Sequence, residues 1–520
     1  MGQKQIKRTY VEYKDDVLNN ISPSFCGAKW YNATVWLGSG TTASCHHPPA
    51  HKIPLSEIKN NYKALHNTEY KKLVRKQMLV GERPTECEYC WKVEDLGPEK
   101  ISDRVYKSII YSDDELKQAA EVHGATGDVD LKTLEIAFDA TCNFACSYCN
   151  PSFSTKWMED IKTNGAYQNL VSDGAGAYHQ DGSWAQPFGL KNKDNPYVQA
   201  FMQWWVNDLQ HSLQELRITG GEATMSQDFW KLMDWWDKNP DCRVSLAVNS
   251  NLGAKRQLIE RLAAVSHKMQ NFQLYTSNES MGSHAEYIRD GLEWTTWFEN
   301  LEYMIEHGNL KGLHIMMTIN SLSLFSMTEF MDQMLDLRTK YWNKLGNQTA
   351  VMSFNLLRFP SFMSIVTLPM DIRKTQSAKL AAWLADKEAT GSKLHEHEKQ
   401  GILRTIAYID EVEVGHYGTS SLESRHRDFK TFYMQYDERR GKNFTATFPE
   451  LADWYNSIPI TDLKARQKLI DGDSTKGWKH VEELIIKAEK EGWISKHSNP
   501  NPGSKDYKEP SKTQSLWDSE

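Results

Sequence analysis

The chain is 520 residues long, more than one ordinary domain holds, and its length predicts two to three folded units. A quarter of its residues are charged, 40% are hydrophobic and the net charge is −7 at pH 7. That balance belongs to a globular protein and gives no global electrostatic reason to bind nucleic acid or an anionic membrane.

Residues 1–20 are polar, lack an apolar signal-peptide core and read as an N-terminal extension. No run of about 18 apolar residues occurs anywhere, so the expectation is a cytoplasmic protein with no membrane span. Gly2 invites a myristoylation reading, but that motif wants Ser or Thr where Ile6 stands. Residues 21–100 alternate short apolar runs with Gly and Pro turns (WYNATVWLGSG, KIPLSEI) before a helical YKKLVRKQMLVGE. They hold Cys26, Cys45, Cys87 and Cys90, which predicts a small cysteine-rich domain. Residues 101–132, with DDELKQAAEVHGATGDVD, have the composition of a linker.

From Leu134 the rhythm changes. The runs LEIAFDA, ELRITG, RVSLAVNS, FQLYTSN, GLHIMMTIN and VMSFNLL predict six strands, separated by amphipathic stretches such as DFWKLMDWWDKN and AKRQLIERLAAVSHKM. Strand alternating with helix predicts an α/β fold with a parallel sheet. Six units over residues 133–369 fall short of a closed eight-unit barrel and predict a partial (β/α)6 TIM-like barrel, its chemistry at the C-terminal strand ends. Residues 160–195 read as a Gly/Asp/Asn-rich insertion, 370–496 as a helical C-terminal extension, and 497–520 as a disordered tail. The 18 Trp residues, several in WW pairs on helices, are expected to pack helices against the sheet.

Eight cysteines in such a chain point to metal or redox chemistry before disulfides. Cys142, Cys146 and Cys149, in CNFACSYCN, follow directly on the first strand LEIAFDA. Thiolates this close on a tight loop can converge on one iron-sulfur cluster, and three of them leave one iron of a cubane open for a ligand. A structural zinc loop would want a fourth ligand. The N-terminal four, with a C-x2-C pair at Cys87 and Cys90, suit either a second cluster or a tetrahedral zinc site. His46 and His47, beside Cys45, are either solvated or a substitute for a thiolate; Cys242 reads as a buried apolar residue.

C-x3-C-x-aromatic-C after a first strand, followed by Gly-Gly-Glu after the second (RITGGEA), resembles the radical S-adenosylmethionine superfamily. The resemblance implies a 4Fe-4S cluster on Cys142, Cys146 and Cys149, with S-adenosylmethionine on its open iron. It implies that Gly220, Gly221 and Glu222 receive the methionyl amino group, and that Tyr148 lies against the adenine, Phe144 being equally credible as packing. NSNLG after the third strand resembles the family's Thr-Asn pair and implicates Ser250 and Asn251. TSNES after the fourth resembles a Ser-x-Asp segment: Ser277 matches, while Glu279 stands where Asp is expected, which puts its role in doubt. Arg289 falls where relatives place an Arg that grips the cofactor carboxylate, a task suited to a guanidinium fork.

Cys26, Cys45, Cys87 and Cys90 in their context resemble a twitch or SPASM-like auxiliary cluster domain, here preceding the barrel, and imply a second 4Fe-4S cluster. FPSFMSIVTLP and YDERRGKNFTATFPEL extend the resemblance, which spans about residues 21–455. The family reading implies a low-potential electron donor such as flavodoxin or ferredoxin, and a peptide or protein substrate. A sugar, nucleotide or other small molecule is the alternative substrate, and a non-catalytic zinc-binding interaction module is the alternative of another class.

Overall fold

The computed structural model describes residues 8–173, 195–411 and 421–460. Each of the six segments expected to be strands forms one: β4 (Thr133–Ala137), β6 (Glu215–Thr219), β7 (Ser245–Ser250), β8 (Phe272–Ser277), β10 (Leu310–Ile319) and β11 (Val351–Leu356). They lie side by side in chain order and pair parallel throughout, as successive strand–helix–strand units do. The architecture is therefore mixed α/β around a parallel sheet.

The sheet extends beyond those six. β1 (Asn32–Trp36) pairs parallel with β4, matching Asn32 to Thr133 and Trp36 to Ala137. β2 (Thr41–Ala43) and β3 (His51–Lys52) then follow antiparallel, giving nine strands with β11 and β3 at the edges. Two further short strands, β5 (Ala145–Cys146) and β9 (Arg289–Asp290), form a separate antiparallel pair.

Alternation along the strands sorts the sheet into two faces. Leu134, Ile136, Leu216, Ile218, Leu246, Val248, Leu274, Ile315 and Met352 are buried beneath the helices. Helix Gln227–Lys238 shows why: Ser226 caps it by accepting from the Phe229 N–H, and Phe229, Leu232, Met233 and Trp236 fall on its buried side. Trp204, Trp205 and Trp236 are fully buried in this core. The opposite face is polar and half-buried, carrying Glu135, Arg217, Asn249, Gln273, Tyr275, Ser277, His314 and Thr318.

The β11 edge is covered rather than left open. Helix Glu396–Asp410 lies along it: the Glu398 carboxylate accepts from the Met352 N–H (2.7 Å) and Arg404 donates to the Phe354 carbonyl (2.8 Å). Arg338 holds Glu398 through two bonds of 2.6 and 2.9 Å, both side chains fully buried. Helices Met370–Ala389, Glu396–Asp410, Leu422–Arg440, Phe444–Thr447 and Ala452–Ser457 make up most of the described part of the C-terminal region; residues 412–420 and 461–520, including the expected tail, lie outside the described residues, as do 174–194 of the expected insertion.

A second core packs near the N-terminus. Tyr13, Val17 and Leu18, from the helical stretch Tyr10–Ile21, meet Trp30, Tyr31, Met78 and Trp91. Val105, Tyr111, Leu116 and Val129, from the segment between the cysteine-rich region and β4, join the same core, as do Cys26, Cys87 and Cys90.

Candidate functional site

Cys142, Cys146 and Cys149 sit on the loop leaving β4, at the C-terminal end of the parallel sheet. Short-range bonds fix that loop. Thr155 Oγ1 accepts from the Cys142 N–H (3.0 Å), Ser154 Oγ donates to the Phe144 carbonyl (2.6 Å) and Trp157 Nε1 donates to the Cys146 carbonyl (2.9 Å). Pairing of β5 with β9 sets Cys146 opposite Arg289. Burial pushes the Cys146 thiol up to about 11, against the pull of Arg289, and Cys149 up to about 12; burial and the neighbouring Cys146 raise Cys142 as well. The bare thiols therefore hold their protons at neutral pH, and a metal taking all three sulfurs must release them.

The Gly-Gly-Glu segment packs against the same loop. Gly220 has φ +121°, which L side chains rarely adopt, and a Cβ on Gly221 would lie 2.4 Å from the Thr141 carbonyl oxygen. The Glu222 N–H donates to that carbonyl at 2.7 Å. Its buried carboxylate accepts from Thr224 Oγ1 (2.6 Å), Ser250 Oγ (2.7 Å) and the Asn251 N–H (2.6 Å), tying the end of β6 to the end of β7. Burial outweighs these bonds and raises the Glu222 carboxyl above its ordinary range. Asn251 Nδ2 lies 2.8 Å from Asn143 Oδ1 and 3.9 Å from Cys142 Sγ.

Across the loop, Glu279 is fully buried and accepts from Arg289 Nη2 at 2.6 Å and Nε at 3.2 Å. Tyr148 donates to the same carboxylate at 3.2 Å, and the Arg289 guanidinium stands 5.4 Å from the Tyr148 ring and 3.9 Å from Cys146 Sγ. Burial disfavours the Arg289 charge, but the Glu279 carboxylate beside it more than restores it, so the guanidinium stays cationic. Ser277 is half-buried at the end of β8. Phe144 is buried, in a packing position. The expected residues thus fall into two groups around the triad: Gly220, Gly221, Glu222, Ser250 and Asn251 on one side, Tyr148 and Arg289 with Glu279 on the other.

The donor set fits an iron-sulfur cluster with an external ligand. Three thiols share one loop at the C-terminal end of the sheet, and buried polar atoms at or just beyond the ends of β7 and β8 have no partner among the described residues: Asn249 Oδ1, Asn278 Nδ2 and Ser280 Oγ. Such groups want a bound polar molecule. Sequence reasoning missed Asn143 and Thr155, which position the loop, because a hydroxyl or amide beside a motif carries no spacing signal. It doubted Glu279 on residue type alone, although a carboxylate ten positions before an Arg is a visible candidate pair.

Cys26, Cys45, Cys87 and Cys90 line a single small cavity together with Lys29, His47, Trp91, Asp103, Arg104 and Lys107. Burial raises the Cys87 thiol to about 12 and the Cys90 thiol to about 11. His46 and His47 turn to Asp103: the two Nε2 atoms lie 3.4 and 2.6 Å from its Oδ2, and His47 stacks on Tyr89. Cys242 is buried in the main core.

No protein-family model matches the chain, and no curated protein matches it. Solved structures of SuiB from Streptococcus suis resemble it: SuiB itself (16% identity, 51% of this chain and 52% of that one, TM-score 0.27), SuiB bound to S-adenosylmethionine (14%, 68% and 69%, 0.30) and SuiB bound to the precursor peptide SuiA (14%, 69% and 70%, 0.29). The chain spans about half the length of SuiB in the first match. Similarity this low carries no weight in assigning a function.

Proposed function

We propose that this chain is a radical S-adenosylmethionine enzyme acting on a peptide or protein, with the partial barrel of residues 133–369 as its catalytic unit. The observation that carries this reading is the packing of Gly220, Gly221 and Glu222 against the loop bearing Cys142, Cys146 and Cys149 at the C-terminal end of the sheet. A chance cysteine cluster has no reason to be braced by a second motif 70 residues away. A 4Fe-4S cluster with bound S-adenosylmethionine supplies one-electron cleavage of the sulfonium to methionine and a 5′-deoxyadenosyl radical, which takes a hydrogen atom from the substrate.

The chain's own residues orient and enclose. Cys142, Cys146 and Cys149 hold the cluster as thiolates. The Gly220–Glu222 backbone offers close approach to the amino group, while Arg289, pinned by Glu279, presents a fixed cation for a carboxylate. Tyr148 covers the same side. The polar inner face below the triad provides a bed for a hydrophilic chain segment: Tyr275 stacks on His314 at 4.3 Å, and Arg217 packs over Tyr275 at 4.9 Å. Its extent from Glu135 on β4 to His314 and Thr318 on β10 favours a peptide over a small molecule. We assign Cys26, Cys45, Cys87 and Cys90 to a second 4Fe-4S cluster in a twitch-like domain, on the ground that all four line one cavity.

The test is anaerobic purification with iron and sulfide analysis, followed by reductant and S-adenosylmethionine. The reading expects about eight irons per chain and formation of 5′-deoxyadenosine. Changing Cys142, Cys146 and Cys149 together to Ala should halve the iron and abolish cleavage. Zinc in place of iron, or cleavage that survives the triple change, would sink the assignment. Mass spectrometry of co-expressed neighbouring peptides tests the substrate class.

A further inference from the structure

The four-cysteine cavity has a cation built into its wall. Lys29 is 2% exposed, in the short helix Ala28–Tyr31 that follows Cys26. Its N–H donates to the Cys26 carbonyl (3.0 Å), its carbonyl accepts from Arg75 Nε (3.0 Å), and its ammonium pairs with Glu86, the residue before Cys87. Glu86 is held in turn by the Tyr70 hydroxyl at 2.6 Å. Lys29 lines the cavity with the four cysteines, whereas Glu86 does not. Both charges act on Cys87 in opposite senses, and the ammonium is the stronger of the two. A buried ion pair of this kind contributes little to stability by itself, because desolvation consumes the Coulomb gain. A cluster bound by four thiolates, anionic in both redox states, is what such a cation would face.

We propose that Lys29 is a potential-setting residue: its buried ammonium, fixed by Glu86 in the wall of the cavity, raises the reduction potential of the centre held by Cys26, Cys45, Cys87 and Cys90. The proposal rests on the iron-sulfur reading of those cysteines. Reduction adds one electron from an external one-electron donor and makes the centre more negative by one charge, so a fixed neighbouring cation stabilises the reduced form more than the oxidised one. Hydrogen bonds to cluster sulfurs act in the same direction.

The experiment uses the full-length chain with Cys142, Cys146 and Cys149 changed to Ala, reconstituted anaerobically so that only the four-cysteine centre is loaded, and titrated with dithionite under electron paramagnetic resonance. Lys29→Met should move the midpoint to more negative potential, and Lys29→Arg should stay near the parent. Lys29→Met with Glu86→Gln covers the case in which an orphaned buried carboxylate blocks folding, and should show the same negative shift. An unchanged midpoint in loaded Lys29→Met and in the double variant overturns the proposal. Loss of iron from both, with Lys29→Arg loaded at the parent potential, would make Lys29 an assembly residue and equally overturn it. A parent carrying zinc or no metal instead refutes the underlying cluster assignment, a result distinct from both.

Discussion

Gly221 illustrates how one missing methyl group links two motifs. A Cβ there would stand 2.4 Å from the Thr141 carbonyl oxygen and 2.8 Å from the Ala140 carbonyl, so Gly221→Ala must push the cysteine loop away from β6. A displacement of about 1 Å at a reacting centre costs about a hundredfold in rate, and 5′-deoxyadenosine formation should fall by about that much while far-UV circular dichroism stays unchanged. His314 makes a pH prediction. Burial and Arg217 depress its pKa to about 4, well below the ordinary 6.5, so between those values the unfolded chain binds the proton and the folded one does not. Stability contributed by this site is intact above pH 6.5 and falls as pH drops toward 4; His314→Asn should flatten the decline in thermal midpoint over that window. Residues of this kind divide what sequence conveys from what it does not. The cysteines and Gly-Gly-Glu were legible because chemistry imposes their type and spacing. Lys29 was not, because the burial of a lysine is decided by Glu86, Tyr70 and Arg75, which lie 41 to 57 positions away.

Elements show the same division. Six strands were legible because each is a short alternating run bounded by polar segments, and the helices between them carry one apolar stripe. β1 was not, since a five-residue strand says nothing about a parallel partner about a hundred residues later. The covering of β11 also escaped the sequence, because Glu398 and Arg338 sit on separate helices and look like surface charges until the fold buries them. That cover makes a prediction. Glu398→Ala would strand Arg338 in the interior and free the Met352 N–H, a loss of about 3–5 kcal/mol. The thermal midpoint should drop, and the bared edge should raise aggregation in light scattering.

Across the whole molecule, β1 is the joint between two cores. One side of it leads through Tyr31 and Trp30 into the N-terminal core with Cys26, Cys87 and Cys90, and the other is a rung of the main sheet. A chain trimmed to residues 132–460 therefore loses more than the cysteine cavity: it exposes the β4 edge beside the triad. Size-exclusion chromatography should show that fragment self-associating to a greater extent than the intact chain.

The same joint sets a timetable. All four N-terminal cysteines are synthesised before β4, and the ladder from Asn32 to Trp36 closes only when Thr133 to Ala137 have emerged. At about 5–20 residues per second, β1 waits about 5–20 s for its partner. The wall of the four-cysteine cavity comes wholly from residues between Cys26 and Lys107, so all of it is synthesised before β4 is complete. The order of synthesis therefore lets the cysteine cavity assemble first, with β1 left as the open rung onto which the main sheet closes.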